Sequence, residues 1–140
     1  MTNKIPHFSG KVSIKIILKN SRNGKVLIVR EPQDKDWQLP GGRTEESEKF
    51  YQTIARELLE ELHLKLSQFK INFVYNEQVL HIRDQAMQMT VFFEIKLEVK
   101  DIKKIKVSDE VAELCWVDKK TYKKYTYFSD IGNALKCYYK

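Results

Sequence analysis

The hydrophobic pattern of the chain changes its period between residues 12 and 62, and this change limits the possible folds more than any other feature. Val12, Ile14 and Ile16 alternate with polar residues, and the apolar run 26–29 follows a cluster of turn residues at 21–24. These two segments predict a β-hairpin. From about Glu48 to Leu62 the apolar residues recur with a helical period. A helix inserted early between strands predicts an α+β fold.

The rest of the chain continues this mixture of strands and helices. Segments 71–82 and 87–99 predict two strands with a turn at Asp84–Gln85, segment 114–117 predicts a short strand, and 131–138 a helix. Residues 31–47, which hold two of the three prolines and two adjacent glycines, predict a long functional loop. Because no repeat or low-complexity linker interrupts the pattern, we expect one domain, 1–140, built as an α+β sandwich.

Composition is typical of a globular protein rather than a disordered chain, with 42% hydrophobic and 31% charged residues. The apolar runs are too short to cross a bilayer, and no signal peptide is recognisable, so we expect a soluble, cytoplasmic protein without a membrane partner. Cys115 and Cys137 lie in no metal or redox spacing, which favours two reduced thiols. The net charge of +6 favours anionic partners such as nucleotides or RNA, although scattered lysines also simply keep a protein soluble.

The helix predicted from 48 to 62 carries both an apolar stripe and a cluster of glutamates. Its apolar stripe contains Phe50, Tyr51, Ile54, Ala55, Leu58, Leu59 and Leu62. Glu57 and Glu60 fall outside the edge of this stripe, whereas Glu61 points near the buried side. Residues at i, i+3 and i+4 are neighbours on a helix, so the three carboxylates should share one patch. Oxygen ligands of this kind suit Mg²⁺, or Mn²⁺, whereas an acidic face in solvent is the alternative reading.

The residues before the helix decide between these readings. Trp37 to Gly42 ends in two glycines, and Gly42 is followed after five residues by Glu48 and after seven more by the segment Arg56–Leu64. This spacing closely resembles the Nudix box, Gly-x5-Glu-x7-Arg-Glu-U-x-Glu-Glu-x-Gly-U, in which U is aliphatic. Eight of the nine fixed positions match over 23 residues. The exception is His63 in place of the last glycine, which predicts a left-handed helix end formed by a histidine at some cost.

The resemblance implies a fold and a set of roles. The fold is the Nudix-type α/β/α sandwich with a mixed β-sheet and the Nudix loop-helix. Members of the family bind their metal ions through the glutamates of the box, which here are Glu57, Glu60 and Glu61, and through the backbone carbonyl that matches Gly41. Arg56 and Glu48 match a pair in which the arginine holds the glutamate in place. Glu110, ahead of Trp116, is our choice among Asp109, Glu110 and Glu113 for a further metal ligand or general base.

The same resemblance implies an Mg²⁺-dependent hydrolase that cleaves a phosphoanhydride bond in a nucleoside diphosphate-linked substrate. Neither the proline of the ADP-ribose enzymes nor the tyrosine of the diadenosine-polyphosphate enzymes follows the box, so a (deoxy)nucleoside triphosphate, cut to a monophosphate and pyrophosphate, is expected. Arg30 and Arg43 are candidates for steering phosphates. Trp37, Tyr127 and Phe128 could stack on a base, although aromatic residues more often fill cores.

Three further interpretations remain open at this point. The substrate could be a triphosphorylated RNA 5′ end, and a steep salt dependence of binding would support this alternative. The chain could instead be a non-catalytic nucleotide-binding Nudix module, although such a module has no need of a glutamate cluster that destabilises its helix. Homodimers are frequent in the family, so a homodimer is possible.

Overall fold

The computed structural model describes residues 5–81 and 85–140. Within these residues the strands are β1 (Lys11–Asn20), β2 (Val26–Arg30), β3 (Gly41–Arg43), β4 (Asn72–His81), β5 (Ala86–Leu97) and β6 (Glu113–Val117). The helices are α1 (Phe50–Leu62), α2 (Val99–Ile102) and α3 (Ser129–Tyr138), with a 3-10 turn at Tyr122–Lys124. Among the described residues, no helix is long and apolar enough to span a membrane.

The strands form one mixed sheet in the order β4-β5-β1-β2-β6, with β3 paired to β1. The central pair, β1 and β5, is parallel over ten residue pairs, whereas the other pairings are antiparallel. The first two strands form the predicted hairpin, with Lys19 opposite Val26. The α+β class and the mixed sheet are therefore confirmed.

The core is divided between the two faces of the sheet, because successive residues of β1 point to opposite sides. Ile14, Ile16 and Leu18 pack with Ile54 and Leu58 of α1. On the other face, Ile17, Ile28 and Phe92 pack with Ile131 and Leu135 of α3. The sheet thus lies between α1 and α3, as an α/β/α sandwich requires.

Two predicted features of the first half are wrong in part. The segment 31–47 is not a continuous loop, since Gly41–Arg43 forms β3 against β1. The apolar stripe of α1 also differs, because Phe50, Tyr51 and Leu59 are 40%, 51% and 48% exposed. The helix turns Thr53 and Glu57 inward instead, and both are buried.

The second half follows the predictions closely, with differences at the boundaries. The fifth strand ends at Leu97, because Val99 already begins the short helix α2, which the pattern did not predict. The predicted turn at Asp84–Gln85 lies partly outside the described residues, and Gln85 has a positive φ of 50°. Both Cys115 and Cys137 are free thiols, as expected.

Candidate active site

The two glycines of β3 bring the backbone of this short strand against both β1 and α1. Gly41 lies opposite Lys15 and has a φ of +135°, and a Cβ there would lie 2.0 Å from the carbonyl oxygen of Ile14. A Cβ on Gly42 would lie 2.4 Å from Oε1 of Glu57. Gly41 therefore requires glycine for its backbone conformation and for space, whereas a Cβ at Gly42 would displace the side chain of Glu57.

Two of the predicted glutamates of α1 point towards this strand. Glu57 and Glu61 are only 9% and 7% exposed, and the backbone N–H of Gly41 donates to Oε1 of Glu61 at 2.9 Å. Glu57 was predicted outside the edge of the apolar stripe, and its burial corrects that prediction. Because Gly42 has no side chain, Glu57 occupies the space beside it, and the backbone of Gly41 binds Glu61.

The Glu57–Glu61 pair has an unfavourable electrostatic environment without a cation. Burial raises the pKa of the Glu61 carboxyl, Lys15 and the Gly41 N–H oppose this effect, and a hydrogen bond and repulsion from Glu57 add to it. Two carboxylates that touch in a buried site require either a shared proton or a positive charge between them. This pair is therefore suited to bind a cation.

Arg56 fixes the orientation of Glu57. Its guanidinium donates to both carboxylate oxygens of Glu48 at 2.8 and 3.0 Å, to Oε1 of Glu57 at 2.9 Å and to the carbonyl of Arg43 at 2.9 Å. A hydrogen bond from Arg56 lowers the pKa of Glu48 to about 2. Oε2 of Glu60 lies 3.5 Å from the same guanidinium, on the more exposed side of the helix. The structure thus contains the Arg56–Glu48 pair that the resemblance implies.

Lys15 supplies a positive charge on the other side of the pair. Its Nζ donates to Oε1 of Gln38 at 2.7 Å and lies 3.4 Å from the carbonyl oxygen of Gly41. This carbonyl is the atom that the resemblance assigns to a metal ligand. The sequence pattern does not single out Lys15, because a lysine that alternates with Ile14 and Ile16 is typical of a solvent-facing strand position.

Glu110 reaches the site through the end of α1. The backbone N–H groups of Lys106 and Ser108 donate to the carbonyls of Leu62 and Glu61, which fixes the following loop beside the helix. Burial raises the pKa of the Glu110 carboxyl, and the charges of Glu57 and Glu60 raise it further. Glu110 therefore lies near the glutamates of α1.

The end of α1 has the predicted left-handed residue. His63 has φ 51° and ψ 28°, and its backbone N–H donates to the carbonyl of Leu59. The backbone N–H of Leu64 donates to Leu58. Histidine thus closes this helix where the family has glycine, which confirms its predicted role as a cap.

The other candidates of the sequence analysis have different surroundings. Arg30 forms an ion pair with Glu113 at 2.6 Å, so both residues belong to the contact between β2 and β6. Trp37 packs edge-on against Tyr125, and the Tyr127 hydroxyl donates to the carbonyl of Tyr122, so both candidates for base stacking belong to the core, as expected. By contrast, Phe128 is 37% exposed and lines a cavity next to β3.

The oxygen atoms around the Glu57–Glu61 pair fit a hard divalent cation. The Glu57 and Glu61 carboxylates contact each other beside the backbone of Gly41, with Glu60 and Glu110 nearby at the more exposed margin. Mg²⁺ prefers oxygen ligands of this kind and keeps several waters. Within residues 5–81 and 85–140, no three acidic, histidine or cysteine side chains lie at metal-binding distance from one another.

Solved structures of several known proteins share this fold. Solved structures with the same fold include the dihydroneopterin triphosphate pyrophosphohydrolase of E. coli (20% identity, 89% of this chain and 92% of that chain, TM-score 0.73). The Ap4A hydrolase of C. elegans has 18% identity over 91% and 94%, with a TM-score of 0.73. The NUDIX domain of Shewanella oneidensis NrtR, solved with ADP ribose, has 17% identity over 97% and 92%, with a TM-score of 0.72.

The sequence itself assigns the family independently of these structures. Comparison with curated protein sequences gave no significant match. The profile of the NUDIX domain family matches residues 11–134, which span the sheet, α1 and most of α3. The chain therefore belongs to the NUDIX domain family and is a Nudix hydrolase that acts on phosphorus-containing anhydrides.

Proposed function

We propose that this hydrolase requires Mg²⁺ and converts a nucleoside triphosphate or deoxynucleoside triphosphate to a monophosphate and pyrophosphate. The observation that carries the proposal is the buried Glu57–Glu61 pair, held against the backbone of Gly41. Burying two adjacent carboxylates costs stability unless a cation compensates them. Arg56 and Lys15 compensate part of this negative charge, and a divalent cation would compensate the rest.

Glu57, Glu61 and the carbonyl of Gly41 would hold the metal ions, and Glu60 and Glu110 would complete the set of ligands. Bound divalent ions neutralise the charge of the phosphates and lower the pKa of water. Mn²⁺ offers the same oxygen chemistry and is expected to substitute for Mg²⁺.

The side chains of the protein perform the remaining tasks. Arg56, fixed by Glu48, keeps Glu57 in one orientation. Lys15 places a positive charge next to the carbonyl of Gly41, where it can attract a phosphate oxygen. Arg43 and Lys15 both line the cavity next to β3, so Arg43 offers a second positive charge there. The attacking water gives its proton to a glutamate, and Glu60 and Glu110 are accessible candidates beside the buried Glu61.

Proteins of similar structure are named for substrates that contain a chain of phosphates, but the substrates differ from one protein to the next. The E. coli neighbour is named for a pterin triphosphate and the C. elegans neighbour for Ap4A. The absence of the ADP-ribose proline and of the diadenosine-polyphosphate tyrosine after the box favours triphosphates for this chain. Cytoplasmic location and a homodimer remain predictions, which cell fractionation and light scattering would check.

A hydrolysis screen tests the proposed function. The substrates are nucleoside triphosphates, Ap4A, ADP-ribose and triphosphorylated RNA, each with and without Mg²⁺. We expect turnover of triphosphates only with Mg²⁺, little effect of Glu46→Gln on the exposed loop, and loss of turnover in Glu57→Gln. Turnover that is unchanged in Glu57→Gln would contradict the proposal. A preference for RNA that weakens steeply with salt would favour the RNA 5′ end instead.

A further inference from the structure

Positive charge is concentrated in four segments that meet at one end of the sheet. Segments 19–25, 96–106, 118–124 and 136–140 contain fourteen of the 25 lysines and arginines but three of the 19 acidic residues. Thirteen of these fourteen cations are exposed. The four segments together therefore carry a net charge of +11, whereas the rest of the chain carries −5. We call the surface that these segments form the basic end.

Strand pairing brings the first two segments together. Lys19, near the end of β1, lies opposite Lys96, near the end of β5, in the parallel register of these strands. The backbone N–H of Ser21, in the turn between β1 and β2, donates to the carbonyl of Leu97 at 2.9 Å. The cations of the hairpin turn and those around α2 therefore belong to one continuous surface.

The other two segments join this surface from the β6 edge of the sheet. Val26, at the start of β2, lies opposite Val117, at the end of β6, so segment 118–124 leaves the sheet beside the hairpin turn. The rings of Tyr122 and Tyr139 stack with 4.7 Å between their centroids. This contact places segment 136–140 against segment 118–124.

The acidic residues of the basic end neutralise little of its charge. The carboxylate of Asp118 accepts the backbone N–H groups of Lys120 and Thr121 at 3.0 and 2.9 Å, so it is used within its own turn. Among the described residues, Lys100 is the only cation of the basic end that forms an ion pair, and its Nζ lies 3.6 Å from Glu98. Most of the positive charge at this end thus has no counter-charge in the described part of the protein.

The basic end is too far from the catalytic site to act on a bound substrate. Lys15 lies opposite Gly41 of the site, and Asn20, where β1 ends, begins the hairpin turn. Five residues of a strand span about 16 Å. Salt screens exposed charges over about 8 Å under physiological conditions. The surplus of positive charge therefore does not serve the substrate, and it opposes the compact state by self-repulsion unless an anion binds to it.

The composition of the basic end indicates which polyanion it fits. Duplex nucleic acid carries one phosphate charge per about 1.7 Å of its axis, and proteins bind it by placing lysines and arginines on the phosphates. Thirteen of the fourteen cations are lysine, and Arg22 is the exception. Lysine contacts phosphate as a point charge, whereas arginine is the residue that reads guanine edges through paired hydrogen bonds. The basic end therefore suits backbone phosphates and not base edges.

Two other polyanions fit the basic end less well. Peripheral membrane proteins insert apolar side chains at the boundary of the lipid head groups, and single-stranded nucleic acid stacks its bases on exposed aromatic rings. Among the described residues, no exposed large hydrophobic side chain lies in the four segments, and Tyr122 is buried. Duplex nucleic acid needs neither kind of side chain, because its bases are already stacked.

We propose that the basic end binds the phosphate backbone of duplex nucleic acid without reading its sequence. The catalytic site, which lies further back along β1, remains free for its own substrate. This inference goes beyond the proposed function and does not depend on it.

Fluorescence anisotropy with a labelled DNA duplex of about 20 base pairs tests the proposal, without Mg²⁺ and at about 50–200 mM salt. If about half of the fourteen cations contact phosphates, the logarithm of the association constant should fall against the logarithm of the salt concentration with a slope of about −6. The affinity should then fall at least about 10³-fold over this range. A second duplex of different sequence should bind equally. A slope flatter than about −2, or a tenfold difference between the two duplexes, would overturn the proposal.

Two double variants test whether separate segments form one binding surface. Lys123→Gln with Lys124→Gln removes two charges after β6, and Lys103→Gln with Lys104→Gln removes two charges after α2. Each pair should make the slope shallower by about two and weaken binding at about 100 mM salt at least about tenfold. Weaker binding in only one of the two pairs would refute a surface assembled from both segments.

The control variant combines Lys35→Gln with Lys49→Gln, which replaces two exposed lysines outside the basic end. It has the same net charge as each test variant, so it separates the position of the charges from their number. Duplex binding should change by less than about twofold in this control. An equal loss in control and test variants would show an effect of net charge alone and would contradict the proposal.

Two further probes compare duplex nucleic acid with the alternatives. A DNA single strand of the same length, and vesicles with about 30% phosphatidylserine, should each bind more weakly than the duplex at equal phosphate concentration and equal salt. Tighter binding of either probe would replace the duplex as the partner. Hydrolysis of free triphosphates should be unchanged in Lys123→Gln with Lys124→Gln, so the failure of duplex binding and the failure of the proposed function are separate results.

Discussion

Replacing Gly42 by alanine adds a single methyl group at the point where β3 meets the glutamates. The new Cβ would lie 2.4 Å from Oε1 and 2.6 Å from Cδ of Glu57. Carbon and oxygen in contact are normally about 3.3–3.6 Å apart, so the carboxylate must move by about 1 Å. A displacement of this size at a reacting centre costs about 100-fold in rate.

The same substitution should affect folding little. Rotation of the flexible Glu57 side chain costs about 0.5–1.5 kcal/mol. Alanine in a strand regains about 0.5–1 kcal/mol over glycine. We therefore expect the free energy of unfolding of Gly42→Ala to change by about 1 kcal/mol or less, measured by urea denaturation, while triphosphate turnover with Mg²⁺ falls about 100-fold.

Two control variants show whether the loss comes from Glu57. In a Glu57→Ala background the clash is absent, so adding Gly42→Ala should raise the free energy of unfolding by about 0.5–1 kcal/mol, without the cost of rotating Glu57. Gly41→Ala should instead destabilise the protein by at least about 2 kcal/mol, because its φ is +135° and its Cβ would lie 2.0 Å from the backbone oxygen of Ile14. Full turnover in Gly42→Ala, or a loss of unfolding free energy when Gly42→Ala is added to Glu57→Ala, would refute the proposed clash with Glu57.

Two further predictions concern stability. The hydrogen bond from Arg56 lowers the folded-state pKa of Glu48 to about 2, so the ionised Glu48 stabilises the fold above about pH 4.5 and this effect disappears as the pH falls towards 2. The Tm difference between wild type and Glu48→Gln should therefore shrink over that range. A constant Tm difference would contradict a stabilising Arg56–Glu48 pair. In Gly132→Ala the new Cβ in α3 would lie 3.7 Å from Tyr127, which is an ordinary van der Waals contact. The free energy of unfolding should rise by about 0.5–1 kcal/mol, because alanine favours a helix over glycine, and the Tm should rise by a few degrees. A lower Tm would contradict this prediction.

The sequence predicts the helix that carries the site and part of the face that it buries, including Glu61, but not the burial of Glu57. The helical period of 48–62 identifies α1, and hydrophobicity alone turns Phe50 and Leu59 inward. In the structure the partner of α1 includes β3, in which Gly42 leaves room for Glu57 and the N–H of Gly41 binds Glu61. The direction of burial depends on this nonlocal partner, so the pattern within the helix does not contain it.

The same limit applies to the strands that form the cavity. Gly41–Arg43 has little intrinsic strand propensity, and it forms β3 because β1 lies beside it. Lys15 and Thr90 occupy positions that are typical of a solvent-facing strand, yet the start of α3 covers this face. Residues from three distant segments meet there. In the sequence, the only local sign of this covered face was that polar residues stand close to a core position such as Phe92.

The central claim is that Glu61 belongs to a divalent-cation site, and an Mn²⁺ titration followed by electron paramagnetic resonance tests it most directly. In Glu61→Gln we expect the Mn²⁺ affinity to fall at least about tenfold and the turnover to disappear. The metal-free variant should unfold at the same Tm or a higher one, because it no longer buries a carboxylate. Glu46→Gln should bind Mn²⁺ like the wild type. If Glu61→Gln binds Mn²⁺ with wild-type affinity and retains turnover, the account is contradicted.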